Sequence, residues 1–448
     1  MSASPTALFL DAIRARVDAT IEACTKCGDC VQACPMVEPA GLKPADGASI
    51  AAGTIDLLAG GPGTPQAERW ADVCTNSGKC IPACTHGVNP RFMVNMARVA
   101  SREKLGDDAV RRASHKFFGS MNRSTRVISR LLLPPEVLAR FSPALKAQAE
   151  YAGDPDIVFY TGCNIGKTPH IALLVLDVLD ALNVKYEVMG GVATCCGIQH
   201  FKQGDAATTG KLGFNTIERL SRPKAARVVS WCPSCQVQIG EIALPAYEQA
   251  YGRVPFDLSP IAEFFEERLD DLRKLFVHPV EKRVAIQERA AVPGINMAVK
   301  AVLRAIPGLE VIDLDVPIVS TQASHLSVLP KFKAEVREKE FAAAREAGVT
   351  AFASLFHGCH RELVKFQPDV PFELINFMEL IGEAMGIRVP DLYKRLQAIG
   401  DVDAIIADSA ELIARHGMDL DEVREAIAYD MFGGRIAQAA PPERAPAH

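Results

Sequence analysis

The 13 cysteines of this chain constrain it more than any other feature, because they are grouped and not scattered. They stand at 24, 27, 30 and 34; at 74, 80 and 84; at 163, 195 and 196; at 232 and 235; and at 359. The N-terminus, MSASPTALFLDAIRARVDATIEAC, has no basic segment ahead of a long apolar run, so no secretory leader is expected. In a reducing compartment, grouped cysteines serve metal or redox chemistry and not structural disulfides. No continuous apolar stretch is long enough for a bilayer span. The net charge of −5 gives no reason to expect nucleic acid or acidic lipid as a partner. The expected location is the cytoplasm, with a peripheral position at the inner face of the membrane as the variant.

The periodicities divide the chain into five parts. Residues 1–100 hold the first two cysteine groups, and 6–22 place apolar residues at helical spacing ahead of Cys24. Residues 101–152 read as a basic helical connector ended by Pro134-Pro135. From about 153 strands and helices alternate: DIVFYTG, IALLVLDVLDALNV, YEVMGG, ARVVSWCPSC. That alternation predicts an α/β domain with parallel strands over 153–270. The pattern then repeats at an offset of 124 residues, VMGGVATCCG at 188 against IDLDVPIVST at 312, and VVSWCPSCQ against FASLFHGCH. A second copy is therefore expected over 271–390. Residues 391–448 read as helices and a disordered PPERAPAH tail.

Cys24-x2-Cys27-x2-Cys30-x3-Cys34-Pro35 has the spacing of a bacterial ferredoxin run. Three thiolates two residues apart wrap one cubane, and the fourth, before a proline, reaches the neighbouring cluster. A zinc site or free thiols is the alternative, but zinc rarely takes four cysteines so compressed. The second run keeps every spacing with one substitution: Cys74-x2-Ser77-x2-Cys80-x3-Cys84. Crossed ligation then predicts a [4Fe–4S] cluster I on Cys24, Cys27, Cys30 and Cys84. Cluster II would take Cys34, Cys74 and Cys80, with Ser77 at the open corner. It is either [3Fe–4S], or [4Fe–4S] with another group on one iron. The plainer alternative is that Ser77 is a loop residue beside an empty site.

Cys163, Cys195-Cys196-Gly197 and Cys232-x2-Cys235 form a CCG motif. On these residues the chain resembles the catalytic subunit of heterodisulfide reductase and related iron–sulfur oxidoreductases. These include the iron–sulfur subunits of glycolate oxidase, of lactate oxidation systems and of anaerobic glycerol-3-phosphate dehydrogenase. The resemblance covers a ferredoxin module followed by CCG domains, to about residue 390. It implies Cys163, Cys195, Cys196, Cys232 and Cys235 as ligands of a cubane or noncubane [4Fe–4S] cluster. A redox disulfide at Cys232-Pro233-Ser234-Cys235 is the alternative, and it leaves three cysteines unexplained.

The second copy departs from the motif. Its counterpart of Cys163 falls near Gln287–Ala290, Val319-Ser320-Thr321 replaces CCG, and Phe356 replaces the first cysteine of the last pair. Cys359 alone survives and cannot hold a cluster, so this half is read as structural and as a cover for the first site. His357 and His360 beside Cys359 are read as buried or capping side chains ahead of metal ligands. GCNIGKT at 162–168 is one residue short of a Walker loop, and no G-x-G-x-x-G follows a strand, so no flavin or nicotinamide is expected on this chain. SHKFFGSMNRSTRVISRLLL is read as a helix docking on a partner or on the chain's own core ahead of a membrane surface near a quinone.

The expected fold is thus α+β and α/β: a helical two-cluster ferredoxin-like module, then two pseudo-symmetric α/β CCG domains, the second degenerate. The expected function is an iron–sulfur electron-transfer subunit of an oxidoreductase. A flavoprotein dehydrogenase would sit on one side, and a quinone, a ferredoxin or an electron-transfer flavoprotein on the other. The alternatives are a thiol or heterodisulfide reductase acting at the CCG cluster, and a structural subunit with vestigial sites.

Overall fold

The computed structural model describes residues 4–141, 154–290 and 292–433. The end of the connector at 142–152, the boundary at 153 and the PPERAPAH tail lie outside the described residues.

The chain opens on helix Pro5–Ala23, whose N-terminus is set by Ser4 accepting a hydrogen bond from the Ala7 N–H and by proline in the first turn. Its buried face, Phe9, Ala12, Ile13 and Val17, packs on helices Ala206–Ser221 and Leu244–Tyr251. Phe9 meets Phe214 edge-on at 5.6 Å. The helix leading into the first cysteine run is thus anchored on the half that carries the CCG motif. Helices Gly47–Leu58, Pro65–Val73 and Pro90–Glu103 close the ferredoxin-like module over a small core of Val31, Ile50, Trp70 and Met93.

Helix Asp107–Leu132 follows. Gly106 precedes it, Asp107 and Asp108 occupy its positive end, and it stops just before Pro134. Val127, Ile128, Leu131 and Leu132 on its inner face belong to the main core. The stretch considered for a membrane surface therefore buries most of its apolar residues within the chain, Phe117 and Phe118 staying half-buried. Among the described residues no helix is long and apolar enough to cross a membrane.

Two four-stranded parallel sheets follow. The first consists of β1 (Ile157–Gly162), β2 (Tyr186–Gly190), β3 (Arg227–Ser230) and β4 (Asp257–Pro260), in the order β2-β1-β3-β4. The second consists of β5 (Lys282–Gln287), β6 (Leu309–Ile312), β7 (Ala351–Ser354) and β8 (Glu373–Asn376), in the order β6-β5-β7-β8. The orders are the same, so the repeat seen in the sequence is a repeat of topology. In β1 the side chains alternate between two cores: Ile157 and Phe159 face one, Val158 and Tyr160 the other. The first of these cores runs on through the second sheet and welds the two halves. Trp231 stacks on Phe377 across the junction, with ring centroids 5.6 Å apart and planes 6° from parallel. Four short helices, the last being Leu420–Met431, return the chain to helix Asp107–Leu132.

Candidate functional site

The two ferredoxin-type runs fold into matching loops. Lys26 and Gly28 in the first, and Asn76 and Gly78 in the second, have φ of 62°, 90°, 58° and 73°. Left-handed backbone at those two positions turns the loop back on itself, and glycine carries one of them without a Cβ clash. The next turns match as well: Val31 N–H donates to Gly28 O and Ile81 N–H to Gly78 O, both at 2.9 Å. Ser77 thus sits in a loop with the backbone of its cysteine-bearing twin. It is buried, and its hydroxyl is 3.5 Å from the Lys79 N–H.

The thiols group across the two runs. Burial first, then Cys24, Cys27 and Cys84, push the Cys30 thiol up to about 12. Burial and Cys74 push Cys34 up to about 11. Cys80 is raised by burial, then by Cys74, Cys34 and Cys30, against the opposing charge of Arg91. Cys24, Cys27, Cys30 and Cys84 therefore share one neighbourhood, and Cys34, Cys74 and Cys80 an adjoining one. Thiols so crowded, with Cys30 and Cys80 buried among them, cannot ionise together without positive charge nearby. An iron–sulfur cluster supplies that charge, so the donor set fits such a group.

The CCG cysteines gather at the C-terminal edge of the first sheet, where open parallel sheets place ligands. Cys163 follows β1, Cys195 and Cys196 follow β2, and Cys232 follows β3 by one residue, with Cys235 on the next helix. The β1–β2 register shifts between Tyr160 and Gly162, which re-aims the chain just before Cys163; β5 pairs β6 without that shift. Gly197, at φ 84°, turns the chain directly into helix Ile198–Lys202, and a Cβ there would crowd Thr209 O at 3.1 Å. The five thiols make one contact chain from Cys163 to Cys195, Cys196, Cys235 and Cys232. Cys163 and Cys235 are raised, Cys163 first by Cys195 and Cys235 first by Cys196. Hydrogen bonds from Cys195 and Cys235 hold Cys196 down to about 6. One negative charge concentrates where its neighbours donate to it, and further ionisation needs a cation, as a metal cluster provides. Tyr160, on β1, donates to Thr194 O at 2.6 Å, and its hydroxyl lies 3.7 Å from Cys235 Sγ.

Sequence alone does not reveal what joins the sites. Lys202 ends the helix after CCG and interacts with Cys74, Cys232 and Cys196. Burial and then Arg98 push its ammonium down to about 7. Lys202 Nζ is 3.0 Å from His325 Nε2, His325 Nδ1 is 3.4 Å from Thr75 O, and Gln322 donates to Ser234 Oγ at 2.8 Å. One polar patch from the second half therefore bridges the Cys74 loop and the Cys232–Cys235 turn. The degenerate motif is part of it. Thr75 Oγ1 donates to Val319 O at 3.1 Å, and Thr321 Oγ1 donates to Thr75 O and Asn76 O at 2.6 and 2.9 Å.

The surviving Cys359 sits beside a buried charge pair. Arg289 bonds Glu340 at 3.2 Å, Gln287 donates to Glu340 at 2.7 Å, and Arg289 also reaches the Cys359 thiol. His357 and His360 are both buried and face different surroundings. His357 lines a cavity, and His360 lies 2.6 Å from Asp391. That cavity, about 330 Å³, lies between the halves and reaches Cys163, Cys196, Cys232 and Cys235. Its wall carries Lys167, Lys202, Arg361 and Asp430.

Residues 20–88 match the 4Fe-4S dicluster domain family, and residues 157–240 match the cysteine-rich CCG domain family. The chain is similar to a subunit of the dihydromethanophenazine:CoB–CoM heterodisulfide reductase of Methanosarcina mazei, with 23% identity over 404 residues, 82% of this chain and 95% of that one. The corresponding chain of Methanosarcina acetivorans is also 23% identical, over the same shares. A subunit of the fumarate reductase (CoM/CoB) of Methanothermobacter marburgensis is 24% identical over 66% of this chain and 57% of its own. With an iron–sulfur dicluster module and a CCG domain, the chain is an iron–sulfur protein that resembles subunits of heterodisulfide reductase and of a related oxidoreductase.

Proposed function

We propose that the chain is the electron-transfer subunit of a complex, working between a flavoprotein dehydrogenase and a quinone, ferredoxin or electron-transfer flavoprotein. In this reading Cys24, Cys27, Cys30 and Cys84 hold a [4Fe–4S] cluster. Cys34, Cys74 and Cys80 hold a [3Fe–4S] or [4Fe–4S] cluster beside Ser77. Cys163, Cys195, Cys196, Cys232 and Cys235 hold the third. Such clusters, when bound, supply one-electron carriers. The protein's part is to hold the three thiol sets next to one another, with the third set shielded from water. The carrying observation is contiguity. Cys80 interacts with Cys30 of the first set, and Lys202 interacts with Cys74 of the second and Cys196 and Cys232 of the third. Affinity purification from the native organism under anaerobic conditions, with mass spectrometry of the co-eluting chains, tests it. A flavoprotein in stoichiometric amount is expected, and a chain recovered alone with full iron would refute the partnered role.

The cavity favours a second reading, in which a small thiol or disulfide reacts at the CCG set. The space reaches four of its five cysteines and is walled by cationic side chains suited to an anionic substrate. Spectral change of the reduced protein on titration with a thiol, lost in Lys202→Met, would favour it over the relay.

A further inference from the structure

Four side chains outside the cysteine sites converge at the seam between the two α/β halves. His170 stands in the first turn of helix Pro169–Ala181, which follows β1. The other three come from the second half: His360 from helix His357–Val364, Glu379 from the first turn of helix Phe377–Met385, and Asp391 as the N-cap of helix Leu392–Ile399. One ligand-type atom from each lies within 4.8 Å of all the others. His360 Nε2 is 2.6 Å from Asp391 Oδ2, His170 Nδ1 is 3.4 Å from Asp391 Oδ1, and His170 Nε2 is 3.6 Å from Glu379 Oε1.

His170 distinguishes this group from an ordinary polar contact. Its ring is 1% exposed, and neither nitrogen has a well-aligned hydrogen-bond partner. A buried imidazole held only by long contacts, 3.4 Å to Asp391 and 3.6 Å to Glu379, is uncommon in native structures. It faces two carboxylates and a second imidazole whose ring centroid is 5.1 Å away. The other three groups are braced as metal ligands are braced. Ser354 Oγ lies 3.3 Å from His360 Nδ1, which leaves Nε2 directed at the cluster. Glu379 Oε1 accepts the Asn376 N–H at 2.7 Å, and Asp391 Oδ1 accepts the Lys394 N–H at 3.0 Å. A solvent cavity of about 580 Å³ reaches Glu379 and Asp391 and gives a cation access; its wall also carries Arg388 and Lys282, the latter paired with Glu373 and Glu383.

We propose that His170, His360, Glu379 and Asp391 bind one zinc-class divalent cation, which clips the first α/β half to the second. Two imidazole nitrogens and two carboxylate oxygens are a borderline-to-hard donor set, suited to zinc and distinct from the thiolate sets. A tetrahedral site with bonds of about 2.0–2.2 Å brings its ligand atoms roughly 3.4 Å apart. The four atoms reach that spacing by side-chain shifts on the order of 1 Å. All four places are filled by protein, which marks a structural site and not a catalytic one.

The test uses the full chain, made with iron and zinc supplied and purified anaerobically. About one zinc per chain is expected, and zinc-edge X-ray absorption should show a nitrogen and oxygen shell with no sulfur. His170→Ala and Asp391→Asn should each lower zinc affinity at least tenfold while iron and sulfide content stay unchanged. Asp391→Asn keeps the size of the side chain, so it guards against a variant that merely misfolds. Wild-type protein that takes up no zinc, zinc with sulfur neighbours, or zinc retained unchanged in both folded variants would each overturn the proposal.

Discussion

Asp430 is the buried charge on which the C-terminal helices close, and replacing it by asparagine should be costly. The side chain is 2% exposed. It pairs with Lys167, bonds Arg361 at 3.0 Å, and accepts hydrogen bonds from Ser124 at 2.7 Å and Tyr393 at 3.1 Å. Burial works against its charge, but Lys167 and Arg361 outweigh burial and hold the carboxyl well below the usual range. Asp430→Asn keeps the shape and removes the charge. Lys167, already pushed down to about 8 by burial, can then shed its proton. Arg361 cannot, and is left largely buried with only the neighbouring Glu362 to oppose its charge. Breaking a buried pair from one side costs about 3–5 kcal/mol. Because Arg361 borders the cavity and keeps some water, the lower end, about 3 kcal/mol, is expected, or a Tm lower by roughly 3 °C for a chain of this length.

The pH dependence follows from the same groups. A depressed carboxyl contributes stability that is complete above about pH 4 and is lost as pH falls through the folded value. The deficit of the variant should therefore owe no pH dependence to the carboxyl above about pH 5. It should shrink above about pH 8, where Lys167 loses its proton in the wild type too. Urea unfolding of the wild type, Asp430→Asn, Lys167→Met and the double variant measures the coupling. The double variant should be more stable than the sum of the single losses by roughly 1–3 kcal/mol. Additive losses, or a deficit under about 1 kcal/mol at pH 7, would refute the buried-pair account.

Other expectations concern the cysteine sites. If ligation crosses between the runs, Cys84→Ser should resemble Cys24→Ser in its iron loss and EPR spectrum and differ from Cys80→Ser; resemblance to Cys80→Ser would reassign the sets. Ser77→Cys restores a thiol to a loop that keeps the twin backbone. It should remove any oxidised three-iron EPR signal and raise iron by about one per chain; an unchanged spectrum would show that the corner is closed to ligands. Thr321→Val deletes the two hydrogen bonds to Thr75 O and Asn76 O and should cost about 1–3 kcal/mol. It should alter the EPR signal of the Cys74 set alone, and an altered signal for the Cys24 set would contradict these contacts.

The cysteine spacings were readable in the chain because ligation by a short loop is a local property. Three thiols within seven residues in the first run, two and a serine at the same spacing in the second, and a glycine in each where left-handed backbone is needed, define the runs without reference to the rest of the protein. The two sheets were readable for a related reason. The inner strands β1 and β7, buried on both faces, leave short apolar runs, and the repeat shows at a fixed offset. The apolar face of Asp107–Leu132 was legible too, but not what covers it, since a helical stripe says nothing about its partner.

Tertiary structure decided the rest. Thr321 reaches Thr75, His325 reaches Lys202 and Ser234, and Asp430 reaches Lys167 and Ser124, all across large separations in sequence. In the chain each of these residues looks like an ordinary polar side chain. The residues that replaced the second CCG motif read as a loss, yet Val319 and Thr321 hold the loop that carries Ser77. His170 gave no signal at all, being one histidine in an apolar helix, until the second sheet brought His360, Glu379 and Asp391 to it. Local spacing fixes which residues can share one small ligand. Only the packing of the two halves fixes which distant charges are buried together, because that depends on the shape of both surfaces at once.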